Sequence, residues 1–156
     1  MRFDELNLTD ALLEGLQAMN FKETTPVQAQ TIPLILEKKD MIACAQTGTG
    51  KTAAYLLPIL NVLCKKEHPE DKINALIMVP TRELALQIDQ QLDAFAYFLP
   101  VTSVAVYGGG DGAIFSQQEK AMRSGVDVVI ATPGRLIALL NMGKIDMSHV
   151  QFFVLD

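Results

Sequence analysis

The chain has 156 residues, 49% hydrophobic and 20% charged, a length that fits one domain and an apolar fraction too high for a disordered chain. Its formal charge of -5 gives no support to bulk electrostatic binding of a polyanion, and neither half is basic: residues 1–72 carry 8 basic and 10 acidic side chains, residues 73–156 carry 5 and 8. Apolar runs such as Ala53–Leu60 fall short of the roughly 20 residues of a membrane span, Met1–Asp10 has no signal-peptide core, and Cys44 and Cys64 form no CxxC pair or zinc spacing, so a reducing, cytoplasmic setting without membrane contact is expected.

Helix and strand signals alternate. Thr9 and Asp10 stand where a helix cap is expected, with Leu12, Leu13 and Leu16 on one face of a helix running to about Met19. Pro26 suits the first turn of a second helix, followed at helical spacing by Val27, Ile32, Ile35 and Leu36. Met41–Ala45 is a short apolar run ending at a glycine-containing loop, which predicts a buried strand with Cys44 in the core. A helix follows from Lys51 to about Cys64. Lys65–Lys72 has mixed charges and a proline, and reads as a solvated loop. Ala75–Val79 predicts the second strand, and Arg82–Phe98 a helix with Leu84, Ile88, Leu92 and Phe95 on one stripe. Val101–Tyr107 predicts the third strand, Ala113–Arg123 a helix, and Val126–Ala131 the fourth strand. Pro133–Asn141 opens another helix and Val150–Leu155 is a fifth strand. His68 and His149 fall in loop-like segments without a motif partner.

Strands that are apolar throughout and separated by helices predict an α/β fold, a mostly parallel sheet with helices on both faces. In such sheets ligands sit beyond the carboxyl ends of the strands. Those predicted ends are Gln46–Thr52, Pro80–Arg82, Gly108–Gly110 and Thr132–Arg135, so the candidate functional residues are expected on one edge.

Ala45-Gln46-Thr47-Gly48-Thr49-Gly50-Lys51-Thr52 has the form of a phosphate loop with alanine in place of the usual first glycine. Small, flexible residues let successive backbone N–H groups point into one concavity. The helix beginning near Lys51 adds its positive end. Lys51 suits the β- and γ-phosphates, and the Thr52 hydroxyl suits Mg²⁺. The loop alone does not choose among a kinase, a GTPase and a motor. The Asn-Lys-x-Asp tetrapeptide that often reads guanine is absent.

Taken together, the motifs resemble those of the N-terminal RecA-like domain of DEAD-box ATP-dependent RNA helicases, over essentially the whole chain. Asn20-Phe21-Lys22-Glu23-Thr24-Thr25-Pro26-Val27-Gln28 looks like the Q motif, with Phe3 as the isolated upstream aromatic. Ala45–Thr52 is similar to motif I, Pro80-Thr81-Arg82-Glu83-Leu84-Ala85 to motif Ia, Gly108-Gly109 to the GG doublet and Thr132-Pro133-Gly134-Arg135 to motif Ib. Val154-Leu155-Asp156 looks like the strand entering motif II. Asn20 stands where the family usually has glycine, and Thr24 where proline is common. Gln118 falls in a stretch, Gly110–Ser124, where the family has a glutamine.

The resemblance implies a RecA-like P-loop fold and an ATP-dependent RNA helicase that separates short duplexes. Gln28 would pair with the N6 and N7 edge of adenine, which selects ATP over GTP. Phe21 would stack on the purine, with core packing as the plain alternative for Phe21 and Phe3. Ala45, Gln46, Thr47, Gly48, Thr49 and Gly50 would cradle phosphates, Lys51 would stabilise transferred charge, and Thr52 and Asp156 would hold Mg²⁺, the latter through water. Thr81, Arg82, Gly108, Gly109, Thr132, Gly134 and Arg135 would grip the RNA sugar–phosphate backbone without regard to sequence. For the two arginines, a salt bridge bracing the loops is the alternative, and for the glycines, turn geometry.

A second RecA-like domain of the same protein is the implied partner. The other functional readings are a non-hydrolysing nucleotide- or RNA-binding module and a different phosphate-loop enzyme such as a small kinase. In sheets of this family the motif III strand lies between the phosphate-loop and motif II strands. On that order residues 1–156 lack a central strand, and this span alone is expected to be poorly soluble or molten and to hydrolyse no ATP.

Overall fold

The computed structural model describes all of residues 1–156. They form two compact units, Met1–Lys65 with Ala94–Pro100, and Lys66–Asp93 with Val101–Asp156. No helix is long and apolar enough to cross a membrane.

The first unit is helical: a 3-10 turn at Phe3–Glu5, then α1 (Asp10–Ala18), α2 (Pro26–Leu36) and α3 (Lys51–Leu63). Pro26 opens α2 as expected. Thr25 Oγ1 accepts from the Gln28 backbone N–H at 3.4 Å, and Gln28 Oε1 accepts from the Thr25 N–H at 3.0 Å, a reciprocal capping box. Thr9 does not cap α1 with its side chain. Its hydroxyl lies 3.3 Å from Cys64 Sγ, and its N–H donates to the buried Asn61 Oδ1 at 2.7 Å, which ties the start of α1 to the end of α3. α2 packs along α3, and Leu12, Leu16, Ile32, Leu56, Leu57 and Leu60 are all buried.

Met41–Ala45 corrects the sequence expectation. It forms no strand, Ile42 is 94% exposed, and Cys44 is exposed rather than in the core. An apolar run becomes a strand only when a neighbour completes its hydrogen-bond ladder, and none of the four strands in this chain pairs with it.

The second unit holds the sheet, with four strands rather than five. β1 (Ala75–Met78), β2 (Ser103–Val106), β3 (Val128–Ala131) and β4 (Phe152–Leu155) are all parallel, in the order β2-β3-β1-β4. The accompanying helices are α4 (Arg82–Phe95), α5 (Gly112–Ser124) and α6 (Pro133–Leu140). α4 stops at Phe95 rather than Phe98, and its buried stripe is Ala85, Ile88, Leu92 and Phe95, with Leu84 half-buried. Leu76, Val106, Val129 and Ala131 form a core with Met122 of α5 and with Leu136 and Leu139 of α6. Ala75, Ile77, Val128 and Ile130, which alternate with those strand residues, are equally buried. β1 and β3 are therefore apolar on both faces, as central parallel strands must be. β4 is an edge strand paired with β1 alone, and it exposes Phe153 and Leu155.

The amino ends of the strands share a polar knot. Asp127, just before β3, accepts from the Thr102 N–H and hydroxyl through Oδ2 at 3.0 and 3.3 Å. Its Oδ1 lies 3.4 Å from Asn74 Nδ2 and 3.5 Å from His68 Nδ1. So Lys65–Lys72 is largely a solvated loop, but its His68 side chain is 6% exposed and has partners that no motif announces. The register sets Val106, Ala131, Met78 and Leu155 in one row. The residues that follow these four leave the sheet along a single edge.

Candidate functional site

In the first unit, two glycines in an unusual conformation lead into α3. Gly48 and Gly50 have φ of 83° and 84°, a left-handed conformation that glycine adopts without penalty. The Thr49 hydroxyl donates to the Gln46 carbonyl and closes the intervening turn. Gly50 is the N-cap of α3, and no side chain caps this 13-residue helix. By contrast, Thr25 caps α2, and Asp111 accepts from the N–H groups of Ala113 and Ile114 at the start of α5. The first-turn N–H groups of α3 therefore lack a side-chain acceptor, and Lys51 and Thr52 occupy its first two positions.

Gln28 reaches this point from α2. Its side chain is buried, and Nε2 donates to the Gly50 carbonyl at 3.2 Å. With Oε1 on Thr25, the amide still has one hydrogen and one lone pair beyond these bonds. Phe21 is half-buried, between Phe3 at 6.1 Å and Phe95 at 5.5 Å edge-on. Phe3 is 2% exposed and stands behind Phe21, the packing alternative for this residue. An open groove of about 520 Å³ is lined by Met19, Asn20, Phe21, Lys22 and Glu23. Asn20 has φ of 62°, which explains the residue type: asparagine is the side chain that best tolerates a position suited to glycine.

In the second unit, the carboxyl edge of the sheet gathers Thr81, Arg82, Gly108, Gly109, Thr132, Gly134, Arg135 and Asp156. Gln46–Thr52, predicted on the same edge, follows no strand and belongs to the other unit. The Thr81 hydroxyl accepts from the Leu84 N–H at 3.2 Å at the start of α4. The Thr132 N–H donates to the Val106 carbonyl at 3.0 Å, and the Asp156 N–H to the Met78 carbonyl at 2.9 Å, each extending a ladder by one residue.

Gly109 lies beside both arginines. Its carbonyl accepts from Arg135 Nη2 at 3.1 Å, and a Cβ at Gly109 would lie 3.4 Å from Arg82 Nη1. Arg135 Nη1 donates to the buried Gln118 Oε1 at 2.8 Å, and its guanidinium lies over the Phe115 ring at 5.0 Å. Arg82 lies over the Tyr107 ring at 4.9 Å. Neither arginine forms an ion pair, so the salt-bridge alternative is not how they are held. Two positive charges thus stand on one edge among neutral partners. Gly108 and Gly134 are different: a Cβ at either meets nothing within 4 Å, and neither has a left-handed φ. Turn geometry therefore does not account for glycine at these two positions.

Tyr107 and Phe115 were not among the predicted residues, and Gln118 was placed only by resemblance. Phe115 and Gln118 are three apart on α5, hence on one helix face, and Tyr107 directly precedes the glycines. Those spacings were the available signal.

Residues 25–156 match the family model for DEAD/DEAH box helicases. This chain belongs to the DEAD/DEAH box helicase family. Among relatives of this family, it is 41% identical over 155 residues to the ATP-dependent RNA helicase CshA of Listeria monocytogenes, covering 99% of this chain and 29% of that protein. It is 44% identical over 155 residues to the probable ATP-dependent RNA helicase ddx27 of Dictyostelium discoideum, covering 99% and 19%. It is also 44% identical over 156 residues to a DEAD-box ATP-dependent RNA helicase CshA of Streptococcus pneumoniae, covering 100% and 29%. The chain thus spans under a third of the length of these relatives. The parallel sheet and six helices agree with the RecA-like fold expected for a DEAD/DEAH box chain.

Proposed function

We propose that this chain is the ATP- and RNA-binding part of an ATP-dependent RNA helicase that separates short duplexes using ATP hydrolysis. The observation that carries this is the uncapped, glycine-led start of α3 with Lys51 and Thr52 in its first turn. Backbone N–H groups there would bind phosphate oxygens, and Lys51 would offset the charge of the transferred group. The hydroxyl of Thr52 is an oxygen donor of the kind Mg²⁺ prefers. When bound, Mg²⁺ neutralises phosphate charge. Gln28 and Phe21 would hold adenine.

The paired arginines without acidic partners support the RNA half of the proposal. Arg82 and Arg135, with Thr81, Thr132 and the bare backbone at Gly108, Gly109 and Gly134, would hold phosphates at a few points and ignore base identity. Such placed contacts let a chain of net charge -5 bind a polyanion. A second RecA-like domain of the same protein would close on ATP and RNA, and a cytoplasmic setting is part of this proposal. The test is RNA-stimulated ATPase activity of the full-length protein. Lys51→Ala should abolish it, and an unchanged rate would overturn the reading.

A further inference from the structure

We propose that Tyr107 is the positioning residue for Arg82, its ring holding the guanidinium ready for an RNA phosphate. This rests on the RNA-backbone reading above. Arg82 is exposed and forms no hydrogen bond or ion pair. The Tyr107 ring, 4.9 Å from Cζ, is therefore the contact that orients its head. A ring under the guanidinium face leaves all the in-plane N–H donors unpaired, and it leaves the charge in place. A carboxylate in the same position would orient the head but would occupy donors and cancel the charge. Tyr107 is half-buried and follows β2 directly, so its ring is carried by the sheet rather than by a free loop. Conformational entropy that a free arginine would lose on binding is thus partly lost before the ligand arrives.

Arg135 is the internal control. Phe115 backs it at 5.0 Å, but Gln118 at 2.8 Å and the Gly109 carbonyl at 3.1 Å also hold it. Arg135 is over-determined, whereas Arg82 depends on one ring. Loss of Tyr107 should therefore matter more than loss of Phe115.

The experiment measures binding of a labelled oligouridylate by the full-length protein across a salt series, with a melting curve for each variant. Tyr107→Leu should weaken binding about 3- to 10-fold, as expected for a cation–π contact. It should also reduce the slope of log K against log salt by about 0.7, one phosphate contact on a single strand. Tyr107→Phe should restore both, Phe115→Leu should leave the slope unchanged, and Tyr107→Leu should add nothing in an Arg82→Ala background. If Arg82→Ala weakens binding while Tyr107→Leu binds like the parent, the positioning role is wrong and the RNA reading stands. Additive losses in the double variant also overturn the role, because Tyr107 then acts other than through Arg82. If Arg82→Ala and Arg135→Ala both leave binding intact, the RNA reading fails and this proposal falls with it. Should Tyr107→Leu lose its cooperative melt, the Arg82 side-chain NMR signals of the unaltered protein decide: an upfield ring-current shift supports the contact, and its absence overturns it.

Discussion

The Gln28 amide donates to the Gly50 carbonyl at 3.2 Å while its own oxygen accepts from the Thr25 N–H at 3.0 Å. One buried side chain thus fastens the start of α2 to the start of α3. Gln28→Ala is expected to cost about 1 kcal/mol of stability, the usual worth of a lost hydrogen bond. It should also loosen the phosphate loop, which weakens ATP and GTP alike. The proposed adenine contact adds a further loss for ATP alone. Affinities for both nucleotides separate the two roles: the shared loss reports the Gly50 bond, and the excess for ATP reports adenine. Equal losses would remove the adenine role from Gln28.

Gly108 and Gly134 make a second prediction because nothing in the fold requires glycine there. Gly108→Ala should melt like the parent. Gly134→Ala, in the first turn of α6, should melt at the same temperature or higher, since alanine favours helix by up to ~1 kcal/mol. Both should bind single-stranded RNA several-fold more weakly if backbone meets backbone at these points. Gly125→Ala is the contrasting variant. Its φ is 85° and a Cβ would run into the backbone of Asp71, so it should be strongly destabilised. Parallel melting and binding curves check all three.

What the sequence could show follows from the range of the interactions involved. Helices announced themselves through local signals, as Pro26 did at the start of α2. The strands of the sheet were legible as short apolar runs between helical segments. Met41–Ala45 has the same composition, yet it is no strand, because a ladder depends on a distant neighbour that composition does not record. The family motifs named the candidate residues in order. They did not say what holds Arg82 and Arg135: Tyr107 and Phe115 are read as ordinary strand-end and helix residues until the fold brings them under the guanidiniums, and the resemblance that marked Gln118 did not name Arg135 as its partner. The knot around Asp127 was invisible for the same reason: His68 and Asn74, Thr102, and Asp127 come from three separate segments.

That knot carries a stability prediction. Asp127→Ala removes the acceptor for the Thr102 N–H and hydroxyl and for the buried Asn74 amide. Thr102 is exposed and water can replace its partner, and the Asn74 amide keeps the Lys72 carbonyl at 3.0 Å, so the loss is that of ordinary hydrogen bonds, about 1 kcal/mol each. The variant should lose about 1–2 kcal/mol by urea unfolding. The site edge is at the opposite end of the strands, so RNA affinity well below the melting temperature should be unchanged. A loss under about 0.5 kcal/mol, the scale of a neutral surface change, would show that the network is incidental.

Two carboxylates should act on stability in opposite directions in acid. Burial in α4 and the nearby Asp93 charge raise the Asp89 carboxyl above its ordinary 3.8, against the lowering effect of the Ser103 hydroxyl at 3.4 Å. The folded chain therefore holds this proton more tightly than the unfolded one does, and stability falls as pH rises from 3.8 through the folded value. Asp89→Asn should be more stable than the parent at neutral pH, with the gain vanishing in acid. Asp146 runs the other way. The Ser148 hydroxyl and N–H, and then Lys72 at 3.2 Å, hold its carboxyl well below the usual range. Its contribution is present above the ordinary 3.8 and is lost as pH falls through the lower folded value. Ser148→Ala should reduce it, with a small effect because the site is exposed and salt screens it. Urea midpoints measured from neutral to strongly acidic pH test both signs, and a gain for Asp89→Asn that grew on acidification would contradict the first.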